Sequence, residues 1–354
     1  MRRLLVALLL VSGAARAQRA PLGLRTQGPL RELFLDVTSA DARSIDRVEL
    51  DLRYSIANTW NEPMVLVQGS HQGQQEMDEQ ADSLSLRVRV PWSRLAGPRF
   101  SRVSTAIEGR ITLHWGGYTD APIEGWHSLV GAFNYQRGLF PRNELHVRFG
   151  DDGATAFDLR STTVALGDLT LRNQLTLFEG PAYGVAARFD LKLPTGPLSQ
   201  AGGSGGVDAG AGLLGSLDLT SWLTLHGLVA LSAFSGFSCA CALQPKTWHF
   251  TGEISAAASW GSTTFLIEDR VLSPLFPPGW DRVPARGDDG LLSSGLFADF
   301  RTHNQVSFAV RRGRFSVWLS EDFTPGPNPR STLKWLWSSN APDLVVGLAF
   351  TQLL

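Results

Sequence analysis

One short stretch of the sequence combines the residue types needed for acyl transfer. Glu124, His127 and Ser128 supply a carboxylate, an imidazole and a hydroxyl close together in the chain. A histidine oriented by a carboxylate can activate a hydroxyl nucleophile, although such groups are brought together in space rather than in sequence. The G-x-S-x-G turn that exposes the serine of many hydrolases is missing around Ser128. We therefore keep a catalytic role for these three residues as a minor hypothesis, and the sequence favours a protein that is not an enzyme.

A second set of residues indicates electrostatic rather than covalent chemistry. These charged side chains occupy the polar positions of alternating segments, and they are the candidate lumen-facing residues Arg53, Arg87, Arg89, Arg172, Arg188, Asp168 and Asp190. An arginine-lined lumen would attract anionic solutes. Because Asp and Glu residues share these positions, the mixture favours salt bridges that fill or brace a lumen, with anion selectivity as the alternative.

The sequence predicts neither a cofactor nor a metal ion. Residues 210–215 have the G-x-G-x-x-G spacing of a dinucleotide-binding turn, but they lie among alternating residues instead of between a strand and a helix. Cys239 and Cys241 are too few for a metal site, and we expect free or locally bridged loop thiols.

The composition excludes two large classes of protein. The 354 residues carry a formal net charge of -1, which lacks the basic footprint of a nucleic-acid binder. The only sustained apolar run lies at the N-terminus, so a bundle of transmembrane helices is excluded.

That N-terminal run has the features of an export signal. Basic Arg2 and Arg3 precede the apolar residues 4–11, and Ala15 and Ala17 form a small-x-small cleavage site. Residues 1–17 are therefore predicted to be a signal peptide. The following segment, residues 18–45, is predicted to lie in the periplasm or to enter the lumen of the domain that follows.

From residue 46 onward, apolar and polar residues alternate with a period of two. Val48, Leu50 and Leu52 begin the first such run, and similar runs recur as far as residue 352. Many exceed the usual strand length of about 5 to 6 residues and approach the 9 to 11 of a tilted membrane-spanning strand. Residues 46–354 are thus predicted to form an all-β fold, an antiparallel up-and-down transmembrane β-barrel of the outer-membrane type with about 14 strands, in a range of about 12 to 16. We expect no amphipathic helix to interrupt it.

The connections between these runs fall into two kinds. Short turns at 179–181, 220–221 and 261–262 alternate with long Gly- and Pro-rich loops at 194–206, 236–246 and 272–290. Sorting of short turns and long loops to opposite ends is typical of an outer-membrane barrel. The segment 117–142 breaks the rule, because parity assigns it to the short-turn end. Either it folds into the lumen or the strand count differs there.

A series of short motifs resembles a known bacterial family. In chain order they are Arg25-Thr26-Gln27-Gly28-Pro29-Leu30 with Phe34-Leu35, Ile123-Glu124-Gly125-Trp126-His127, Pro141-Arg142-Asn143, Gly150-Asp151-Asp152-Gly153, Gly167-Asp168-Leu169 and Lys192-Leu193-Pro194-Thr195-Gly196. Together they resemble domain of unknown function 3187, from about Leu24 to the C-terminus. The resemblance implies an exported, β-barrel-like protein, and it brings no catalytic residues.

Three functions follow from these features. The first is a bacterial outer-membrane channel or passive transporter for small solutes. The second is an outer-membrane enzyme that modifies lipid or lipopolysaccharide, and the third is a soluble secreted β-sandwich that binds a ligand. The expected partners are membrane lipid, lipopolysaccharide, the outer-membrane assembly machinery and a small solute, without nucleic acid.

Overall fold

A computed structural model of the chain describes residues 19–68, 70–130, 141–151, 154–277, 281–284, 302–322 and 344–354. Within these residues the chain forms the strands β1 (Glu49–Gln68), β2 (His71–Pro91), β3 (Val103–Trp115), β4 (His146–Asp151), β5 (Ala154–Leu159), β6 (Thr163–Leu166), β7 (Leu169–Glu179), β8 (Tyr183–Leu193), β9 (Asp208–Asp218), β10 (Leu223–Ala233), β11 (Trp248–Trp260), β12 (Thr263–Leu272), β13 (Asp281–Pro284), β14 (His303–Arg312), β15 (Phe315–Asp322) and β16 (Leu344–Leu353). The helices are α1 (Ser93–Ala96) and α2 (Asp120–Val130), with short 3-10 turns at Arg31–Leu33, Pro98–Phe100 and Leu198–Gln200.

Twelve of the described strands close into a barrel. Every pairing is antiparallel, and β1 hydrogen-bonds to β2 on one side and to β16 on the other. Glu49 is aligned with Arg89 of β2 and with Leu353 of β16, so the ring has no free edge at this seam. A β-sandwich consists of two separate sheets with edges, and closure therefore excludes the soluble sandwich that we considered as an alternative. The ring of twelve lies within the range that the sequence predicts.

The other four strands extend the wall beyond one end of the ring. The long strands β1 and β2 have 20 and 21 residues, against 8 to 13 in the other ring strands. Strand β4 pairs with the first half of β2 and β5 pairs with β4, whereas β13 pairs with the second half of β1 and β6 with the end of β3. These additions all lie at the end of the barrel that carries the long loops.

The period-two pattern of the sequence separates the two faces of the barrel wall. On β12, Phe265 and Ile267 are about half exposed, whereas their neighbours Thr264 and Glu268 are buried. Other ring strands repeat this alternation, with apolar side chains outside and polar side chains inside. An apolar outer face with a polar interior is the arrangement of a barrel in lipid. The described residues contain no helix that is long and apolar enough to cross a membrane.

The described parts of the segment 117–142, residues 117–130 and 141–142, lie at the long-loop end, which corrects our parity assignment. Strand β3 ends at Trp115 and β7 begins at Leu169 at the same end of the ring, so the described residues that join them belong to that end. The segment also contains helix α2, which our sequence analysis did not expect. Pro122 and Gly125 lower the helix propensity of this stretch and obscured it.

An aromatic cluster packs over the long-loop end. Phe34 from the N-terminal region stacks on Phe234 with ring centroids 4.9 Å apart, and Phe149 of β4 lies 5.1 Å from Phe237 and 5.6 Å from Phe276. All these rings are buried. Nearby, Cys239 and Cys241 form a disulfide within the loop that joins β10 to β11.

Candidate functional site: the barrel lumen and its N-terminal segment

The interior of the barrel holds the chain's own N-terminal region. Residues 19–45, which we call the lumen segment, start at the short-turn end, where Arg19 lies 3.7 Å from Asp218. The segment turns at the long-loop end and returns to its starting end, where the Ser44 amide donates to Glu179 at 2.9 Å. It therefore forms a hairpin-like plug, and β1 follows directly from its second arm.

Backbone groups of the first, rising arm of the lumen segment bind side chains of the wall. Gly23 donates its amide to Glu268 at 3.2 Å, and its carbonyl accepts from the Arg53 guanidinium at 2.9 Å. The next carbonyl, that of Leu24, accepts from Arg270 at 2.6 Å. Gly23 has a φ of +57°, and a Cβ there would collide with the carbonyl oxygen of Ser39 on the returning arm. Only glycine fits this close approach without strain.

The tip of the lumen segment is bound to the ends of three wall strands. The Lys192 ammonium donates to the Leu33 carbonyl at 3.0 Å and to Asp168 at 2.7 Å. The Leu35 amide donates to Asp208 at 3.0 Å, and the same Asp208 carboxylate lies 3.2 Å from the Lys192 ammonium. One buried lysine therefore pairs with two buried carboxylates and donates to a carbonyl of the plug.

The returning arm carries the main charged contacts of the segment. Asp36 forms a buried ion pair with Arg270, and its carbonyl accepts from Arg172 at 2.9 Å. Further along, the Asp41 carbonyl accepts from Gln174 at 2.8 Å, and Arg43 lies 2.7 Å from Asp218. Polar contacts thus continue along the whole arm.

The lumen-facing candidates of the sequence all lie on the inward side of the wall, where they form local networks. Arg172 donates to Glu108 at 2.9 Å and to Asp190 at 2.7 Å, and Arg188 donates to the other oxygen of Asp190 at 2.6 Å. Because unpaired buried charges are costly, these pairs brace the wall and offset the desolvation of its charges.

The remaining candidates fall into three smaller groups. Arg53 and Arg87 share Asp51, at 2.6 and 2.7 Å. Arg89 donates to the Ser104 hydroxyl at 3.0 Å, and Asp168 is the carboxylate already described beside Lys192. Whether any of these side chains lines a solute pathway stays a prediction.

Several important residues of this site escaped the sequence analysis. Asp36, Glu268 and Arg270 were not named, and Lys192 was named only within a family motif, although Lys192, Glu268 and Arg270 occupy the inward parity of their strands. Parity alone could have added them to the candidate list, but it could not have paired them with the lumen segment.

The wall and the plug leave a polar cavity between them. It occupies about 500 Å³, including space open to solvent, and faces β1, β2 and β3. Arg25, Arg53, Arg87 and Arg110 line it, together with Glu32 and Glu108 among others.

The candidate catalytic residues lie on α2. The Glu124 carboxylate accepts from the exposed Arg142 guanidinium, at 3.2 Å from its Nε, and Ser128 is exposed. The His127 side chain lies outside the described part of the structure. Among the side chains that are described, Glu124 and Ser128 have no hydrogen bond that joins them, and no group of His, Cys, Asp and Glu could hold a metal ion.

Comparison with solved structures identifies the fold. The chain is similar to the COG4313 outer membrane channel from Pseudomonas putida F1, with a TM-score of 0.51 and 11% identity over 90% of this chain and 100% of that one. It is also similar to the NanC porin, with a TM-score of 0.43 and 8% identity over 86% of this chain and 99% of that one. The first of these likenesses confirms the predicted outer-membrane type of barrel.

Sequence comparison gives a second finding. The model of a family described as Protein of unknown function (DUF3187) matches residues 3–267, about three quarters of the chain, which confirms the resemblance drawn from the motifs. A search of curated proteins finds no significant match.

Proposed function

The chain belongs to the DUF3187 family, and from its barrel and occupied lumen we propose that it is an outer-membrane channel or passive transporter for small solutes that its own lumen segment narrows. In this proposal residues 1–17 are a cleaved signal peptide, residues 18–45 form the plug and residues 46–354 form the barrel. The surrounding partners are membrane lipid and lipopolysaccharide, and the outer-membrane assembly machinery inserts the barrel.

The observation that carries this proposal is the polar character of the contacts between plug and wall. Side chains alone fill a barrel of about 8 strands, and barrels of about 16 to 18 strands leave an aqueous channel. A ring of twelve lies between these cases, and here a segment of the chain occupies the extra space. Hydrogen bonds and ion pairs such as Asp36–Arg270 hold the lumen segment. When the segment moves, water can form the polar contacts that are lost.

The proposed location is tested by membrane fractionation followed by electrophoresis with and without boiling in detergent. An outer-membrane barrel partitions with that membrane and migrates differently after boiling. A protein that stays in the soluble periplasmic fraction and shows no heat shift would overturn the membrane proposal.

The proposed role of the plug is tested by locking it to the wall. The Ala42 amide donates to the Ser216 hydroxyl at 2.9 Å, so cysteines at these two positions join the returning arm to β9. The variant Ala42→Cys/Ser216→Cys is made with Cys239 and Cys241 replaced by alanine. Its conductance in a planar bilayer should be low when oxidised and should rise after addition of a reductant.

A matched control joins two wall strands without touching the plug. Ser307 of β14 and Ser320 of β15 are aligned partners whose hydroxyls lie 2.6 Å apart. Ser307→Cys/Ser320→Cys should conduct equally in both redox states. Equal conductance of the two states of the plug-locked variant would contradict a moving plug, and no conductance or solute flux from either protein would contradict the channel itself.

A further inference from the structure

The cavity beside the plug has an unusual balance of hydrogen-bond donors and acceptors. Four arginines line it, one from the lumen segment and three from the wall, against the two carboxylates of Glu32 and Glu108. Both carboxylates are already engaged. Glu108 accepts from Arg172 at 2.9 Å and from Arg25 at 3.4 Å, and Glu32 pairs with Arg110.

Three of the arginines have an N–H donor that makes no hydrogen bond to the described residues. The Nε atoms of Arg25, Arg87 and Arg110 are buried and have no hydrogen-bond partner among the described residues. A buried N–H without a partner is costly, and such groups in native proteins usually bind water, an ion or a ligand. Among the buried side-chain atoms of the described residues that line this cavity, one acceptor has no partner, the side-chain oxygen of Gln27. Donors therefore exceed acceptors in the unfilled space.

The ion pairs around the cavity balance its charges and still leave the three Nε donors free among the described residues. Asp51 adds a third carboxylate because it pairs with both Arg53 and Arg87, at 2.6 and 2.7 Å. Glu49 adds a fourth, 3.4 Å from the Arg87 guanidinium. Four guanidinium groups then face four carboxylates, of which Glu108 is shared with Arg172, so the free Nε donors lie within a network whose charges are balanced. A planar guanidinium that keeps a free N–H can add a charge-assisted hydrogen bond to a carboxylate or phosphate oxygen.

We propose that this cavity is a binding site for a small oxyanion, a carboxylate or a phosphate group, held by Arg25, Arg87 and Arg110 between the plug and strands β1 to β3. The inference rests on the proposed channel function, since it names the class of solute that passes or occupies the lumen. It also connects the solute to the plug, because Arg25 belongs to the lumen segment whereas Arg87 and Arg110 belong to the wall. A bound oxyanion thus contacts both the plug, which moves in the proposed mechanism, and the barrel wall, which does not.

The test is equilibrium binding to the whole protein in detergent, measured by calorimetry with sodium acetate and with inorganic phosphate, and with acetamide as the neutral analogue of acetate. We expect saturable binding of at least one oxyanion and none of acetamide. Tighter binding of acetate would identify a carboxylate as the ligand, and tighter binding of phosphate would identify a phosphate group. No saturable binding of either oxyanion at millimolar concentration would overturn the site, even if the protein conducts.

Arg87→Gln is the first variant, because it removes one free donor and leaves Asp51 paired with Arg53. Its oxyanion affinity should fall about tenfold or more, the range expected for loss of a charge-assisted hydrogen bond. Arg188→Gln is the matched control: Arg188 likewise shares an aspartate, Asp190, with a second arginine, but it does not line the cavity. An equal loss in both variants would show a general effect of lumen charge and would overturn the assigned site.

A second variant tests the site without changing its charge, and the heat shift in electrophoresis shows whether the variant has folded. Ser85 lines the same cavity, so Ser85→Leu fills space without removing an ion pair. It should weaken oxyanion binding while the heat shift in electrophoresis is retained. The proposed function is judged separately, since binding that persists in a protein without conductance refutes the channel and leaves the site intact.

Discussion

Asp36 and Arg270 form a buried ion pair inside the barrel, although 234 residues separate them in the sequence. Arg270 donates to Asp36 through both terminal nitrogens, one of them at 2.9 Å, and also to the carbonyls of Leu24 and Val37 at 2.6 and 2.8 Å. One wall arginine therefore binds both arms of the lumen segment. The pair is thus a polar link between the plug and the wall that acts on both arms.

Asp36→Asn should loosen the plug. The substitution preserves the shape of the side chain but removes the carboxylate that Arg270 contacts most closely and leaves it, among the described residues, only Glu253, 3.9 Å away. Removing one partner of a buried pair costs up to about 3 to 5 kcal/mol. Single-channel recordings should show a higher open probability than those of the unchanged protein. Asp82→Asn is the control, because Asp82 accepts from the exposed Tyr54 hydroxyl and lies outside the lumen. The same gating in Asp36→Asn and the unchanged protein would contradict the role of the ion pair.

Lys192→Met should release the tip of the lumen segment. The Lys192 ammonium lies 2.7 Å from Asp168 and 3.2 Å from Asp208, so its loss leaves two buried carboxylates to repel each other. The Leu33 carbonyl also loses its donor. We expect faster protease cleavage within the segment and a conductance above that of the unchanged protein. Lys246→Met provides a comparison, since Lys246 lies in the loop between β10 and β11, and cleavage at equal rates in the two variants would count against the prediction.

The ion pair at the base of the lumen segment should give the channel a pH dependence. Burial of the Asp41 carboxyl would raise its pKa, but the hydrogen bonds and charge of Arg43 outweigh burial and lower the pKa below its usual value. Since the pKa is lower in the folded protein, this contribution to stability is complete above the ordinary Asp pKa of about 3.9 and is lost as the pH falls through the lowered value. Conductance should therefore rise only in strongly acidic buffer.

Arg43→Gln tests the cause of that dependence. Without the guanidinium, burial dominates and the Asp41 pKa moves upward, so the rise in conductance should occur at a higher pH. Arg160→Gln is the control, because Arg160 follows β5 outside the ring and pairs with Asp158 and Glu76. A transition at the same pH in the Arg43→Gln variant and the unchanged protein would rule out Asp41 as the titrating group.

The barrel itself was predictable because its two environments alternate with the strand period. Residues such as Leu213 and Leu217 share the outward face of β9, and this regularity needs no knowledge of long-range contacts. The outer halves of β1 and β2 were not predicted, since Gln72, Gln74 and Glu76 interrupt the alternation with polar residues. Beyond the lipid boundary both faces of a strand can be wet, and the pattern then loses its signal.

The course of the lumen segment could not be predicted for a different reason. Its contacts depend on which inward side chains of the closed ring lie at the same level as each residue of the segment, as in the hydrogen bond from the Leu35 amide to Asp208. Neither secondary-structure propensity nor hydrophobic periodicity predicts such long-range contacts. The sequence supported only the statement that residues 18–45 lie in the periplasm or enter the lumen.

Membrane insertion can be tested by placing a charge at two different depths on the outward face of β9. Leu213 lies at the middle of the strand and is 58% exposed, and Leu217 lies near the short-turn end of the same face. Arginine on the lipid face costs about 2 to 4 kcal/mol at the midplane of a bilayer and about 0 to 1 kcal/mol near its edge. Leu213→Arg should therefore lower the free energy of unfolding in liposomes, measured by denaturant titration, by more than Leu217→Arg does. Equal effects at the two depths would mean that lipid does not cover this face, because exposure to water would make both substitutions nearly neutral.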